Sequence, residues 1–493
     1  MKFRLISIFT TNFKFYTHMK QNKKLLIVYL MLLFLYSIRL DAQEIWPLEK
    51  CIQYAHENNI QLKQYKLNAK LSENNLLQSR ISVLPNLNGG GSHNYSFGRA
   101  LDESTYEFTK DQTVQSNNLY LSSTVTLFNG FQKLNTIKQN KFNLLASMED
   151  VEKIKNDISL NIAAAYLQIL FNLELLEVAK NQLEITLQQV TRTKQLVDAG
   201  SLAKGSLLEI KAQTSAEELQ VVNSQNQLDL SYLTLIQILV LDSVGNFRIE
   251  QPEISKINEE NIPYTVNSIY SEAVNMMPQI KSTKYQLQSQ EKGLSIAYGA
   301  RSPRLSLSGS YGSRYSDVRQ QITGTEEVII PIGQTTGGEM VITSMDRALW
   351  GDYPFFNQLN DNMTYGVAFN LSIPLFNGWQ VNNSISNTKL SVLNAKYNLQ
   401  NSKNQLYREI QQAYADALAS LKKYKATENA VSSMEESFRY TQQRFNVGLV
   451  NSVEYNIAKN QLAKAQSDLI QAKYEYIFKI NVLNFYMGKP IKI

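Results

Sequence analysis

The chain has 493 residues, with 49 Lys and Arg against 43 Asp and Glu, a formal charge of +6. Seven of those basic side chains and one acid lie in residues 1–42, so the remainder carries 42 of each and is neutral. Neutrality over that length argues against nucleic acid as a partner, and the single cysteine, Cys51, excludes an internal disulfide.

Residues 1–42 read as an export signal. Lys20, Lys23 and Lys24 precede the apolar run 25–38, and cleavage is expected near Ala42–Gln43. Fourteen apolar residues are short for a spanning helix, and no second run of that kind is expected. Met19 as the true start, and a retained membrane anchor, remain alternatives.

Next comes an amphipathic stretch holding Cys51 and His56, in which Cys51 is expected as a small buried helical residue. The glycine-rich segment NLNGGGSHNYSF (86–97) is a weak strand candidate. LYLSSTVTL (119–127) alternates cleanly, with Leu119, Leu121, Val125 and Leu127 on one face. It runs into LFNG (127–130), after which residues 131–197 contain no proline. Apolar residues there recur at threes, fours and sevens, from Met148 through Val151, Ile158, Ile162, Ala165 and Ile169. As one helix of 67 residues this span would be about 100 Å long at 1.5 Å per residue. A glycine turn and a second helical stretch follow at LVDAGSLAKGSLLE (196–209).

The second half repeats that plan. RLSLSGSYG (304–312) presents Leu305, Leu307 and Tyr311 on one face, and a longer outer loop spans 314–361. MTYGVAFNLSIPL (363–375) alternates over its whole length. Tyr365, Val367, Phe369 and Leu371 lie on the apolar side; Thr364, Gly366, Ala368, Asn370 and Ser372 lie on the other. LFNG recurs at 375–378 and opens a second proline-free stretch that reverses at RFNVGLVNSVEY (444–455).

These echoes are ordered. Ala55 aligns with Ala273 and Pro85 with Pro303 at an offset of 218; the LFNG copies, and Gly200 with Gly448, align at 248. The chain is therefore a tandem duplication, with residues 43–262 as the first repeat and 263–493 as the second. Each LFNG ends a strand and begins a long helix. Gly130 and Gly378 tolerate positive φ at that change of direction, and Asn129 and Asn377 can cap the first helical turn.

The two periods together point to a membrane. Strands of this length with one apolar face suit a spanning barrel, yet four strands cannot close one, because the smallest barrels need about eight. Open edges are not tolerated in hydrocarbon, so several copies must share one barrel, and three would supply twelve strands. The expected fold is mainly α with a transmembrane β-barrel in contact with outer-membrane lipid, continued by long coiled-coil-like helices.

At this point the residues resemble the TolC family of outer-membrane efflux proteins. The resemblance rests on W-x-L-x-x-C-I-x-x-A at Trp46–Ala55, on LPNL (84–87) with SPRL (302–305), and on the paired LFNG turns. RFNVGLV at Arg444–Val450 and LNFYMG at Leu483–Gly488 complete it, so that it covers residues 45–488. It implies a homotrimer with a shared twelve-stranded barrel and a helical periplasmic tunnel. It also implies docking to a periplasmic membrane-fusion adaptor and an inner-membrane pump, and the export of small toxic compounds.

The adaptor contact it implies falls on Gly200, Gly205, Gly448, Leu449 and Val450, although ordinary helix C-caps would account for the glycines equally well. The periplasmic entrance falls on Glu454, with Ile457 where a second acid would be expected; a solvated helix-surface glutamate is the other reading. No nucleophile, P-loop or metal-ligand motif occurs, so neither catalysis nor a cofactor or metal is expected. The alternative function is a periplasmic adaptor or structural coiled coil, which would lack the duplicated membrane-type strands.

Overall fold

The computed structural model describes residues 45–99, 101, 106–108, 113–241, 247–252, 257 and 261–491; the signal segment 1–42 lies outside them. In chain order the helices are α1 (Leu48–Asn58), α2 (Ile60–Ile81), α3 (Gln132–Asp198), α4 (Lys204–Leu239) and α5 (Val266–Met276). They continue with α6 (Pro278–Gly299), α7 (Phe355–Asp361), α8 (Gln380–Asn446) and α9 (Ser452–Tyr486). The strands are β1 (Ile45–Trp46), β2 (Asn88–Ser96), β3 (Val114–Phe128), β4 (Arg248–Ile249), β5 (Arg304–Ser316), β6 (Gln320–Gln334), β7 (Met340–Asp352) and β8 (Thr364–Ser372).

The duplication is visible in element lengths. Helices α1 and α5 have 11 residues each, and α2 and α6 have 22 each. Helices α3 and α8 have 67 each, and α4 and α9 have 36 and 35. The proline-free stretches thus become the long helices, as expected where no residue lacks an amide donor.

The chain divides into two compact units that cut across both repeats. One holds residues up to Ile60, Asn156–Thr265 and Gln412 onward; the other holds Gln61–Lys155 and Val266–Gln411.

In the first unit the seam predicted for α3 is buried at Ile158, Ile162, Ala165 and Ile169, with Leu235 and Leu239 of α4 fully enclosed. By length and composition α3 could cross a membrane, contrary to the expectation that no second apolar run follows residues 25–38. Its apolar residues are used in helix packing instead. The parallel bridge between β1 and β4 sits beside them. There the Tyr166 hydroxyl donates to Glu250 O at 2.7 Å, and Trp46 meets Tyr54 and Phe247 edge-on. Cys51 is fully buried in α1, and that burial pushes its thiol up to about 12. His56 is half-buried and hydrogen-bonded to Ser159 Oγ at 3.0 Å.

In the second unit β2, β3, β5 and β8 form one antiparallel sheet in that order, leaving β2 and β8 as free edges. The first part of α3 packs against α2 and α6. Ser147 bonds Ser72 of α2 at 2.9 Å, while Asn143 and Asp150 accept from Ser289 and Ser282 of α6 at 2.6 Å each. The segment 314–361, expected as a loop, is instead structured. It carries the end of β5, a separate two-stranded hairpin of β6 and β7, and α7.

Candidate functional site

The sheet register fixes which side chains share a face. In an antiparallel pair, residues directly opposite point the same way. Leu121 lies opposite Tyr311 and Val125 opposite Leu307; Leu305, Leu307 and Tyr311 lie opposite Leu371, Phe369 and Tyr365. Leu119, Leu121, Val125, Leu305, Leu307, Tyr365, Val367, Phe369 and Leu371 therefore form one continuous apolar face. The opposite face is built from Ser122, Thr124, Ser306, Ser308, Ser310, Gly366, Ala368 and Asn370. On β8 the apolar side chains are bare, with Tyr365 85% and Val367 75% exposed.

The glycine-rich β2 is a full strand because larger neighbours cover it. The Tyr120 ring lies over Gly90, and Leu119 and Leu121 occupy the space beside Gly91 and Gly89. A Cβ at Gly90 would come within 2.7 Å of that ring.

At the strand-to-helix turns two consecutive residues adopt the left-handed conformation. The φ angles are +64° and +60° at Gly130 and Phe131, and +62° and +67° at Gly378 and Trp379. Asn129 Oδ1 accepts from Lys133 N–H at a long 3.5 Å, and the carbonyls of Asn129 and Asn377 accept from Gln132 and Gln380. Phe131 and Trp379 carry no signal in the sequence, because only glycine advertises positive φ.

The far ends of the hairpins α3–α4 and α8–α9 share one geometry. Ser201 N–H donates to Leu196 O and Gly200 N–H to Val197 O; Leu449 N–H donates to Arg444 O and Gly448 N–H to Phe445 O. Both are Schellman caps, with φ of +75° at Gly200 and +76° at Gly448. The cap thus accounts for both glycines, and open space surrounds each. Gly205 lies elsewhere, in the first turn of α4. Leu449 is 71% exposed, but Val450, expected beside it on the contact surface, is buried at 8%. It points inward because the reversal must fill its own small core.

Glu454 stands in the first turn of α9, exposed, with its N–H donating to Asn451 Oδ1 at 2.9 Å. That position suits an acid irrespective of any entrance. Ile457 is 52% exposed.

Side-chain ties join the second hairpin to the first, and the sequence signalled none of them. Arg192 donates to Asn446 Oδ1 at 2.5 Å, and Ser452 Oγ to Glu209 Oε2 at 3.0 Å. Deeper, Lys459 of α9 is 1% exposed; its ammonium donates to Gln182 O, Thr186 Oγ1 and both oxygens of Glu217. Thr186 and Gln213 also donate to Glu217. Burial holds Lys459 below the usual lysine range, with Glu217 pulling the other way. Tyr455, buried beside them, stacks on Phe445 at 4.7 Å. Among the described residues no three His, Cys, Asp or Glu gather as a metal-holding group.

Comparison with known proteins agrees with this geometry. A family model described as outer membrane efflux protein matches residues 51–239 and 269–489. The chain is 23% identical over 460 residues to outer membrane protein TolC of Salmonella enteritidis, covering 89% of this chain and 84% of that one. Its fold matches the crystal structure of the Campylobacter jejuni CmeC outer membrane channel with a TM-score of 0.71 at 17% identity, over 90% and 85% of the two chains. It matches a crystal structure of CusC with the same score at 16% identity, over 90% and 92%.

Proposed function

The chain belongs to the outer membrane efflux protein family, an outer-membrane channel of efflux systems with a helical periplasmic portion, and from that premise we propose how it assembles and docks. Three copies join into one duct: a twelve-stranded barrel continued by a ring of helices. The duct is passive; an inner-membrane pump supplies the energy, and a membrane-fusion adaptor meets the helix tips. Small toxic compounds are the cargo.

The observation that carries this reading is a set of contacts made once inside the chain and missing at the equivalent positions of the other repeat. Phe142 of α3 stacks on Tyr285 of α6 at 6.4 Å. Adding 248 to the first and subtracting 218 from the second gives Leu390 and Leu67, which are 63% and 65% exposed. Gly130 touches Gly299, and the equivalents are Gly378, with nothing near it, and Ile81, 50% exposed. A second copy satisfies all of them at once: its α2 lies against α8 as α6 lies against α3. The β3–β5 pairing then carries over to β8 and the next copy's β2, with Val367 opposite Tyr95 and Leu371 opposite Gly91. Both free edges vanish, and the apolar rows meet lipid all round.

At the tips, Leu449, Val447 and Leu208, each more than 65% exposed, supply apolar surface for the adaptor. Three copies of Glu454 form a ring of carboxylates that favours cations at the entrance. The ties at Arg192 and Ser452 hold the hairpins together there, and widening the entrance requires breaking them.

The test uses Leu67→Cys with Leu390→Cys in the full chain, in which Cys51 is buried and poorly reactive. A short thiol cross-linker is expected to produce covalent trimers on denaturing gels. Material that yields monomers alone overturns the trimer. Adding Gly448→Trp is expected to leave those trimers intact and to abolish export in cells lacking the native copy; undiminished export overturns docking at the tips.

A further inference from the structure

We propose that the hairpin of β6 and β7 is an interface between copies of this chain, its distal half packing on the equivalent halves of two neighbours beyond the outer mouth of the barrel. The inference rests on the trimeric reading above and adds a contact that the repeat relation does not supply, since the first repeat has no equivalent of this insertion.

The hairpin is long and unsupported. Its two strands pair from Gln320–Asp352 to Gln334–Met340, and none of residues 320–352 is buried. A lone two-stranded ribbon is at best marginally stable in water, so one of this length requires a partner. The side chains indicate where. Midway along the ribbon, Glu326 pairs with Arg347 at 2.8 Å and Glu327 lies opposite Asp346, a charged zone suited to water, while nearer the sheet Ile322 lies opposite Trp350. In the distal half both faces are apolar. Val328 lies opposite Met345 on one face, and Pro331 opposite Ile342 on the other, beside Ile329. Ile329, Ile342 and Met345 are each more than half exposed.

Lipid is a poor occupant. The charged zone separates the distal half from the apolar face of the barrel strands, so the two do not form one continuous greasy surface. Edge addition of another strand is also disfavoured. Pro331 lacks an amide donor, and register shifts at Ile322–Gly324 and Pro331–Gly333 twist the ribbon. What remains is packing through faces.

Continuity with the barrel identifies the occupant. Strand β6 leaves β5 after only three residues, and β7 returns through α7 to β8, the edge that the next copy covers. A shared barrel therefore holds three of these hairpins around one opening, at the high effective concentration that tethering gives.

The test introduces Ile342→Cys, or Ile329→Cys on the same face, into the full chain in its native outer membrane. A short bis-maleimide is expected to give covalent dimers, one reactive cysteine per copy beside the buried Cys51 allowing no more. The Leu67→Cys, Leu390→Cys chain run in parallel reports on the trimer itself. If that control forms trimers while neither hairpin variant forms dimers, the hairpin contact is overturned and the trimer stands. If neither cross-links, both fail. A fluorophore attached to the new thiol of the Ile342→Cys variant, if quenched by brominated phospholipid, would place the hairpin in the bilayer and likewise overturn the contact.

Discussion

The two LFNG turns have the same four residues and nearly the same backbone, yet they stand in opposite surroundings. At Gly130 an added Cβ would lie 2.3 Å from Gly299 O and 2.6 Å from Ser302; at Gly378 it would meet nothing within 4 Å. Around the first turn the neighbouring helix belongs to the same chain. Around the second, Phe376 is 85% and Trp379 68% exposed. Local sequence builds the turn in both places, and connectivity decides which one finds its neighbour within a single chain. The difference bears on assembly: the open surroundings of Gly378 have a filled counterpart at Gly130.

The sharpest way to break that comparison is to fill both turns. Gly130→Val forces a side chain into a left-handed residue, which costs about 1–2 kcal/mol by itself, and drives it into a backbone carbonyl that cannot move aside. The expected outcome is loss of the folded chain, seen as complete protease sensitivity in detergent. Gly378→Val bears the conformational cost alone while the chain is by itself. Its monomers are therefore expected to resist protease and to fail at trimer formation. Equal damage to isolated monomers would show that the two turns do not differ in the way their surroundings imply.

A second, smaller effect comes from the other end of the helices. The buried ammonium of Lys459 ties α9 to α3 and α4 within the chain. Helices α4 and α9 begin at Lys204 and Ser452, so the repeat offset of 248 carries past the tips. The counterparts of Thr186, Lys459 and Glu217 are then Met434, Lys211 and Ala465, with no acid among them. One hairpin-to-hairpin seam is thus fixed by an ion pair that the repeat counterparts of these residues cannot make. Lys459→Met leaves Glu217 buried without its cation, which costs about 3–5 kcal/mol. The expected outcome is earlier opening at the tips, read as higher conductance of the purified channel in planar bilayers. Adding Glu217→Leu removes the stranded charge and is expected to restore the closed state. A double variant as leaky as the single one would mean that the pair does more than satisfy itself.

Much of this arrangement is legible in the residues. Period-two alternation at 364–372 and the proline-free stretches locate strand and helix, because a side chain's face follows directly from its position along either element. The weak case, β2, is weak for a physical reason: Gly89, Gly90 and Gly91 show no alternation of their own, and Tyr120 and two leucines on β3 supply what they lack. The hairpin at 320–352 reads as a loop because its apolar residues lie on both faces, so no alternating stripe results. The tips are legible through their glycines, but Val450 is not, since an apolar residue in a turn can fill the turn or face a partner. Lys459, Thr186 and Glu217 carry no signal; 31 and 242 residues separate Glu217 from the other two, and only helix packing brings them together.

The smallest expected effect concerns pH and again separates the two repeats. Lys479 of α9 donates to Asp416 of α8 at 2.7 Å, a tie inside the second hairpin whose counterparts in the first, Gln168 and Ser231, are uncharged. Hydrogen bonds from Lys479, and from Gln412, hold the Asp416 carboxyl below its usual value of 3.8. A carboxylate whose pKa is lowered by folding contributes stability that is fully present above the unfolded value and lost as pH falls through the folded one. Both side chains are about one-third exposed, so the contribution belongs with partly solvated pairs at about 0.2–1 kcal/mol. Asp416→Asn is accordingly expected to lower the melting temperature of the solubilised protein slightly at pH 7. Below pH 3.8 that difference should shrink steadily, until variant and parent melt together once the parent carboxyl is protonated. A difference that persists unchanged to the lowest pH would mean that Asp416 acts through packing and not through its charge.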